Sequence, residues 1–112
     1  MNKDELIRIL LNRDSNRHLV DDLVPEYLSE KYDREGAVLL LSDFEKVDAK
    51  ILNALCIACL SDCEEDVRLC AFEGLIKHDL KIATVMAYSL IEDDYEDIVE
   101  LASECIREWN KK

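Results

Sequence analysis

The stretch Asp48–Ile76 reads DAKILNALCIACLSDCEEDVRLCAFEGLI, and it aligns without gaps with Asp79–Arg107, which reads DLKIATVMAYSLIEDDYEDIVELASECIR. Equivalent positions of the two stretches are 31 residues apart. Identical or similar residues recur at many of them: Asp48 and Asp79, Lys50 and Lys81, Ile51 and Ile82, Leu60 and Ile91, Asp62 and Asp93, Asp66 and Asp97, Ala71 and Ala102, Glu73 and Glu104. A fixed period in this range is typical of stacked supersecondary units, none of which can bury its apolar face alone. The sequence therefore predicts a repeating architecture over its second half.

Each copy of the repeat is predicted to form two helices. Asp48 and Asp79 are suited to cap first helices that run to about Leu60 and about Ile91. An acidic turn follows in each copy, and second helices are predicted over residues 64–77 and 95–109. The last of these helices carries one continuous apolar stripe, made of Tyr95, Ile98, Val99, Ala102, Cys105, Ile106 and Trp109.

The first 47 residues show a weaker form of the same pattern. A helix is predicted over Asp4–Asn12, and a second apolar stripe runs from Val20 to Leu28, with Pro25 as a restart or a kink. The segment Glu35–Phe44 contains five consecutive apolar residues, which periodicity alone cannot assign to a strand or a buried helix. We interpret it as a helix because its neighbours are helical. The prediction is an all-α chain of about six or seven helices.

The start of each second helix carries a further pattern. The first copy has Asp62 to Arg68, DCEEDVR, followed by Ala71 and Leu75. The second copy keeps the equivalent residues Asp93, Asp97, Ile98, Ala102 and Ile106 but has Val99 at the Arg68 position. These units resemble HEAT or armadillo-like repeats, which prefer an acidic residue, Val-Arg, a small residue and Leu here.

The resemblance covers residues 48–110 and implies a short right-handed α-solenoid of antiparallel helix pairs that binds macromolecules. Under this interpretation, residues 1–112 form a single domain with repeats at 48–78 and 79–110. Residues 1–47 then supply degenerate N-terminal helices, as is common at the ends of solenoids. The resemblance implies no particular activity, because a fold does not dictate function.

The composition excludes several functional classes. The chain has 112 residues and a net charge of −12, of which −8 belongs to residues 48–112, and no cluster of Lys and Arg is present. Nucleic-acid binding is therefore not expected. A membrane-spanning helix needs about 20 apolar residues, and the uncharged runs at residues 51–60 and 82–91 are far shorter. The N-terminus MNKDELIR does not resemble a signal peptide, so we expect a cytoplasmic protein without membrane contact.

Five cysteines raise the question of a metal site. Cys56, Cys59 and Cys63 are spaced i, i+3 and i+7, so a zinc site completed by Cys70 or His78 can be imagined. The repeat argues against it, because the residues 31 positions after Cys56, Cys59 and Cys70 are Ala87, Leu90 and Leu101. We therefore interpret the cysteines as packing residues in a reducing compartment. A calcium loop starting at Asp62 is not expected either, because Val67 occupies the position that requires glycine. No metal or cofactor is predicted.

Two acidic turns are the strongest candidate for a functional site. Helix N-termini favour acidic residues, at about 0.3–1 kcal/mol each, which accounts for two or three per turn. Nine acids on one edge repel one another, and a partner-binding surface is the alternative explanation. The candidate partner-binding residues are Asp62, Glu64, Glu65, Asp66, Glu92, Asp93, Asp94, Tyr95, Glu96 and Asp97.

The remaining residue types do not favour catalysis. Neither a nucleophile motif nor a glycine-rich phosphate loop occurs, and the chain has only 2 glycines. Among the aromatic residues, Tyr88 and Trp109 lie on apolar stripes and are predicted to be core, whereas Tyr95 lies within the acidic edge as a surface anchor. An enzyme is not expected.

These observations lead to a functional hypothesis with two alternatives. The first choice is a non-enzymatic acidic protein-binding module, with an inhibitor or immunity protein that neutralises a basic partner such as a nuclease toxin as the best guess. One alternative is a structural adaptor or scaffold subunit that uses an apolar rim. A third interpretation is an enzyme-associated or metal-responsive helical domain that uses Cys56, Cys59, Cys63 and Cys70. The sequence determines neither the partner's identity nor the oligomeric state.

Overall fold

The computed structural model describes residues 2–11 and 34–111, and these residues form helices without any strand, with short loops between the helices of residues 34–111. The all-α prediction is therefore confirmed for this part of the chain. The second apolar stripe, with Pro25, lies outside the described residues. The helices are α1 (Lys3–Leu11), α2 (residues 34–42), α3 (Ala49–Ser61), α4 (Glu65–His78), α5 (Leu80–Leu90) and α6 (Glu96–Asn110).

The helices of the second half begin where the capping chemistry of the sequence places them. The Asp48 carboxylate accepts a hydrogen bond from the Ile51 amide at 3.0 Å, and the Asp79 carboxylate accepts one from the Ile82 amide at 3.1 Å. Each bond satisfies one of the orphan donors at a helix N-terminus. The predicted bounds of α3–α6 agree with the observed ones to within two residues. Residues 34–42 are helical, so the ambiguous apolar segment is a helix.

A single apolar core joins the described helices. Helix α1 packs on α3, α3 contacts α4 and α5, and α6 contacts α4 and α5. Residues at equivalent positions of the 31-residue period are buried alike: Val67 and Ile98, Ala71 and Ala102 are fully inaccessible to solvent. The same faces of α4 and α6 therefore point into the core. None of the helices of residues 2–11 and 34–111 combines the length and the apolar character needed to cross a bilayer.

Two aromatic residues predicted to be core are exposed. The Tyr88 side chain is 56% exposed and Trp109 is 38% exposed, so both predictions were wrong. Tyr88 lies on the face of α5 opposite to the buried Ala83, Ala87 and Leu90, and Trp109 lies in the last turn of α6. The spacing of apolar residues alone does not show which part of an apolar helix face is covered by another helix.

Helices α2 and α4 approach each other closely at a glycine. A Cβ atom added to Gly74 would collide with Ser42 Oγ, whereas a Cβ added to Gly36 would meet no atom within 4 Å. The Ser42 hydroxyl is buried and meets no hydrogen-bond partner among the residues that the structure describes. The Ser42 carbonyl oxygen, in contrast, contacts the His78 ring through Nε2. Gly74 is therefore the position that allows α2 to lie against α4.

This contact predicts opposite outcomes for the two glycines. Gly74→Ala is expected to destabilise the protein by about 1–2 kcal/mol, because the new methyl group overpacks the α2–α4 contact. Gly36→Ala, the matched control, is expected to stabilise it by up to about 1 kcal/mol through helix propensity. Urea denaturation measures both changes.

A double variant tests the cause. In the Ser42→Ala background, Gly74→Ala is expected to be neutral or stabilising, because the colliding hydroxyl is gone. An equal destabilisation in both backgrounds would show that Ser42 is not the residue that Gly74 accommodates.

Candidate functional site

The two acidic segments predicted from the sequence connect helices at corresponding points of the fold. We call residues 62–66, which connect α3 to the first turn of α4, the first acidic turn, and residues 92–97, which connect α5 to the first turn of α6, the second acidic turn. Asp62 Oδ1 accepts a hydrogen bond from the Glu64 amide at 3.0 Å, and Asp93 Oδ1 accepts one from the Tyr95 amide at 2.8 Å. The two turns therefore share the same local hydrogen bond, 31 residues apart.

Arg68 joins the two turns. Its Nε and Nη2 atoms donate to the two carboxylate oxygens of Asp93, both at 3.0 Å, while its Nη1 atom donates to the Asp62 carbonyl oxygen at 2.9 Å. A planar guanidinium that donates in this forked geometry holds its partners in a defined orientation. The first and second acidic turns therefore lie side by side.

Asp62 has a partner of its own inside the protein. Arg34 Nε donates to Asp62 Oδ2 at 2.9 Å and Arg34 Nη2 donates to Oδ1 at 3.2 Å, with side-chain exposures of 5% and 0%. The Arg68–Asp93 pair is more accessible, at 15% and 11%. Two of the ten predicted partner-binding residues therefore have their carboxylates engaged by internal arginines and shape the turns from within.

The other predicted residues lie at or near the surface. Glu64, Asp66 and Tyr95 are half-buried. Within residues 2–11 and 34–111, Glu65, Glu92, Asp94 and Glu96 form no ion pair with a lysine or arginine. The exposed carboxylates of the two turns are those of Glu65, Glu92, Asp94, Glu96 and Asp97. We call these five carboxylates, which lie on two adjacent turns, the negative strip.

The pKa of Tyr95 is influenced by carboxylates of both acidic turns. Its pKa is raised above the ordinary value, first by a hydrogen bond from the phenol to Asp97 and then by the negative charge of Asp97 itself. Smaller contributions come from Asp66 and Glu65 of the first acidic turn. Negative charge nearby disfavours the phenolate, so carboxylates from both turns act on one side chain.

The cysteines divide into buried and accessible thiols. Cys59 and Cys105 are buried, Cys56 and Cys70 are half-buried, and Cys63 is exposed. The prediction that all five are packing residues was therefore wrong for Cys63, because α3 ends at Ser61 and Cys63 lies in the first acidic turn. In the described part of the chain, no group of three or more His, Cys, Asp or Glu residues is arranged to hold a metal ion.

The environment of the cysteines sets their ionisation. Burial raises the pKa of the Cys59 thiol to about 12, with a further contribution from Cys56. The pKa of Cys56 is raised mainly by burial and also by Asp79. The pKa of Cys70 is raised mainly by burial, and further by Glu73, Glu35 and Asp66. These three carboxylates therefore lie close to Cys70, on the faces of α2 and α4.

Two clefts, which the sequence interpretation missed, open beside α4 and α6. The larger has a volume of about 310 Å³ and the smaller about 180 Å³. Helix α6 contributes Leu101, Glu104, Cys105 and Glu108 to the larger cleft, which is completed by Ile76 and Leu80. Helix α4 contributes Cys70, Glu73, Gly74 and Lys77 to the smaller cleft, which is completed by Leu39, Ser42 and Asp43.

The two clefts use equivalent helix positions. Each of the four residues from α6 lies 31 positions after one of the four from α4. The i, i+3, i+4, i+7 spacing of mixed apolar and acidic residues was the available sequence signal for this helix face.

Comparison with known proteins identifies no relative of this chain: no protein-family model, no curated protein and no solved structure matches it.

The two internal arginine pairs differ in burial, which predicts different costs of breaking them. Asp62→Asn is expected to destabilise the protein by about 3 kcal/mol or more, because it leaves the buried Arg34 guanidinium without a counter-charge. Asp93→Asn is expected to cost about 1 kcal/mol, since its pair is partly solvated. Urea denaturation with circular dichroism measures both, and equal small costs would contradict a structural role for Asp62.

The exposure of the cysteines predicts an order of thiol reactivity. With a disulfide reagent at pH 8, Cys63 is expected to react first, and Cys56 and Cys70 more slowly because their raised pKa lowers the thiolate fraction. Cys59 and Cys105 are expected to react only after unfolding. Cys63→Ser should remove the fast phase, whereas the control Cys59→Ser should leave it unchanged. A fast phase that survives Cys63→Ser would contradict the assignment.

Proposed function

We propose that this chain is an acidic protein-binding module built as a short right-handed α-solenoid of HEAT-like antiparallel helix pairs. Three observations support the repeat. Helices α3 and α5 begin 31 residues apart, as do α4 and α6. Asp48 and Asp79 cap their helices in the same way. Asp62 and Asp93 each receive a forked arginine, Arg34 or Arg68, from an earlier helix.

The proposed partner is a basic protein, and the site is the negative strip formed by the two acidic turns. The observation that carries this proposal is the adjacency of the turns, which places the exposed Glu65 near the exposed Asp94 and Asp97. Like charges held together on a protein surface repel one another, so such an arrangement costs stability. A cationic surface would relieve the repulsion and gain charge-assisted hydrogen bonds.

The internal arginines make the strip suitable for binding. Asp62 and Asp93 hold the backbone of their turns through bonds to the Glu64 and Tyr95 amides. The exposed carboxylates therefore project from turns whose conformation is already fixed. Little ordering entropy remains to be lost on association, which favours affinity.

Our best candidate within this class is an inhibitor or immunity protein that blocks a basic enzyme such as a nuclease toxin. A nuclease binds phosphates through a cationic surface. A strip of carboxylates presented on fixed turns can occupy that surface and exclude the nucleic acid. The mechanism requires no catalytic group in this chain, and it would be fast and sensitive to salt because association is steered electrostatically.

A structural adaptor is the second candidate. Exposed apolar side chains on α5, and on the residue that follows it, favour an adaptor. Val85 is 59% exposed and Ile91 is 40% exposed, and the exposed Tyr88 lies between them in sequence. Apolar groups on one helix face are typical of surfaces that contact another protein. An adaptor that used this face would bind with little dependence on salt.

Capture from a host lysate with neutralised variants distinguishes the two. The triple variant Glu65→Gln, Asp94→Asn and Asp97→Asn is expected to lose at least tenfold in affinity for the captured basic protein. The control triple variant Asp4→Asn, Asp43→Asn and Glu45→Gln changes the net charge equally at exposed positions away from the two turns, and it should bind as the parent does. Affinity should fall steeply as salt is raised.

The outcome decides between the functions. Equal losses in both triple variants would show only a dependence on net charge and would contradict a site at the turns. Binding that ignores salt and is lost in Val85→Ser with Tyr88→Ser would support the adaptor. If the captured protein is a nuclease, a stoichiometric amount of this chain should stop hydrolysis of its nucleic-acid substrate.

A further inference from the structure

The larger cleft follows the second acidic turn along α6. Its α6 residues run from Leu101 to Glu108, whereas the second acidic turn ends at Asp97. Helix α6 rises about 1.5 Å per residue, so Leu101 is about 6 Å and Glu108 about 16 Å along the helix from Asp97. The cleft therefore begins about one helical turn beyond the negative strip and extends away from it along α6.

The floor of the cleft is apolar and firmly built. Ile76, Leu80 and Leu101 are half-buried and pack against the core, and Cys105 is 5% exposed. The Cys105 Sγ atom lies 3.5 Å from the buried Thr84 hydroxyl, which gives the thiol an internal partner. A volume of about 310 Å³ is at the lower end of the range of ligand sites, which run from about 300 to 1,000 Å³.

The rim of the cleft carries two carboxylates. Glu104 and Glu108 are exposed and one helical turn apart on α6, so they lie on the same side of the apolar floor. Glu108 accepts a hydrogen bond from Lys111 at 3.3 Å, with side-chain exposures of 65% and 71%. A pair this exposed contributes little and is readily displaced by another cation.

We propose that this cleft binds an apolar side chain of a basic partner segment, with lysine or arginine residues on either side of it paired to Glu104 and Glu108. The inference rests on the proposed function, which supplies the positive charge of the partner. It adds a second contact surface on this chain and an apolar side chain that the partner segment must carry. A leucine, methionine or phenylalanine side chain would fill the floor. Charge complementarity selects this occupant, because the charged side chains that line the cleft in the described part of the chain, Glu104 and Glu108, are both acidic.

Other occupants fit these observations less well. A second copy of the chain would bring two molecules of net charge −12 together, which opposes association at this acidic rim. A nucleic acid would be repelled for the same reason. A neutral apolar molecule would gain nothing from the two carboxylates.

Peptide binding followed by NMR tests the proposal. The probe is the acetylated and amidated pentapeptide Lys-Arg-Leu-Lys-Arg, and the control replaces leucine with serine. The leucine peptide is expected to shift the amide signals of Leu80, Leu101 and Cys105, and to bind about tenfold more tightly than the serine peptide, because only leucine buries apolar area in the floor.

Matched variants test the rim. Glu104→Gln with Glu108→Gln is expected to weaken the leucine peptide about tenfold at low salt. Asp4→Asn with Glu45→Gln, which changes the net charge equally and leaves the cleft intact, should change its affinity by less than twofold. Both proteins must show parental urea denaturation midpoints.

Three outcomes would overturn the proposal. One is equal affinity for the two peptides with shifts confined to residues 62–66 and 92–97, which would leave the proposed function standing. Another is an equal loss in both double variants. The third is a shift of the cleft amides when the protein alone is diluted, which would assign the cleft to a second copy of the chain. Failure of the proposed function would instead appear as unchanged partner capture by the triple variant of the turns.

Discussion

The contacts of Arg34 and Arg68 are the constraint on which the arrangement of the acidic turns depends. Arg34 neutralises the buried Asp62 carboxylate, and Arg68 binds both the Asp62 backbone and the Asp93 carboxylate. Each guanidinium thus spans from one helix to the turn of another. Without them, the turns would carry a buried unpaired charge and a large mutual repulsion. The arginines allow an excess of negative charge to be displayed outside by compensating the charge that is inside.

The acidic residues of the two turns lie in different environments, and the helix dipole explains only some of them. Dipole stabilisation at the N-termini of α4 and α6 accounts for acids in the first turn of each helix, such as Glu65 and Glu96. Internal pairing accounts for Asp62 and Asp93. The exposed Glu92 and Asp94 precede α6, so they lie outside the first helical turn, and neither pairs with Arg34 or Arg68. The partner-binding proposal therefore concerns these two residues most directly.

The parts of the structure that depend on local chemistry could be predicted from the sequence. Capping by Asp48 and Asp79, the helical periods and the 31-residue spacing all act over a few residues, and they located α3–α6. The exposure of Tyr88 could not be predicted, because it depends on which helix covers a face. The burial of Asp62 could not be predicted either, because its partner Arg34 is 28 residues away in the chain. Local residue spacing carries no information about a partner that is distant in the chain.

The two copies of the repeat carry different residues at the position where each helix lines its cleft. Gly74 on α4 and Cys105 on α6 occupy equivalent positions, and each lines the cleft beside its helix. Glycine lets α2 approach until Ser42 touches the α4 backbone region, which leaves about 180 Å³. At the equivalent position of α6, Cys105 Sγ lies 3.5 Å from the Thr84 hydroxyl, and the cleft beside it measures about 310 Å³. The two clefts also differ in charge. Among the described residues, the charged side chains that line the larger cleft are Glu104 and Glu108, whereas Lys77 as well as Asp43 and Glu73 lines the smaller one. A basic segment would therefore be opposed by Lys77 at the smaller cleft.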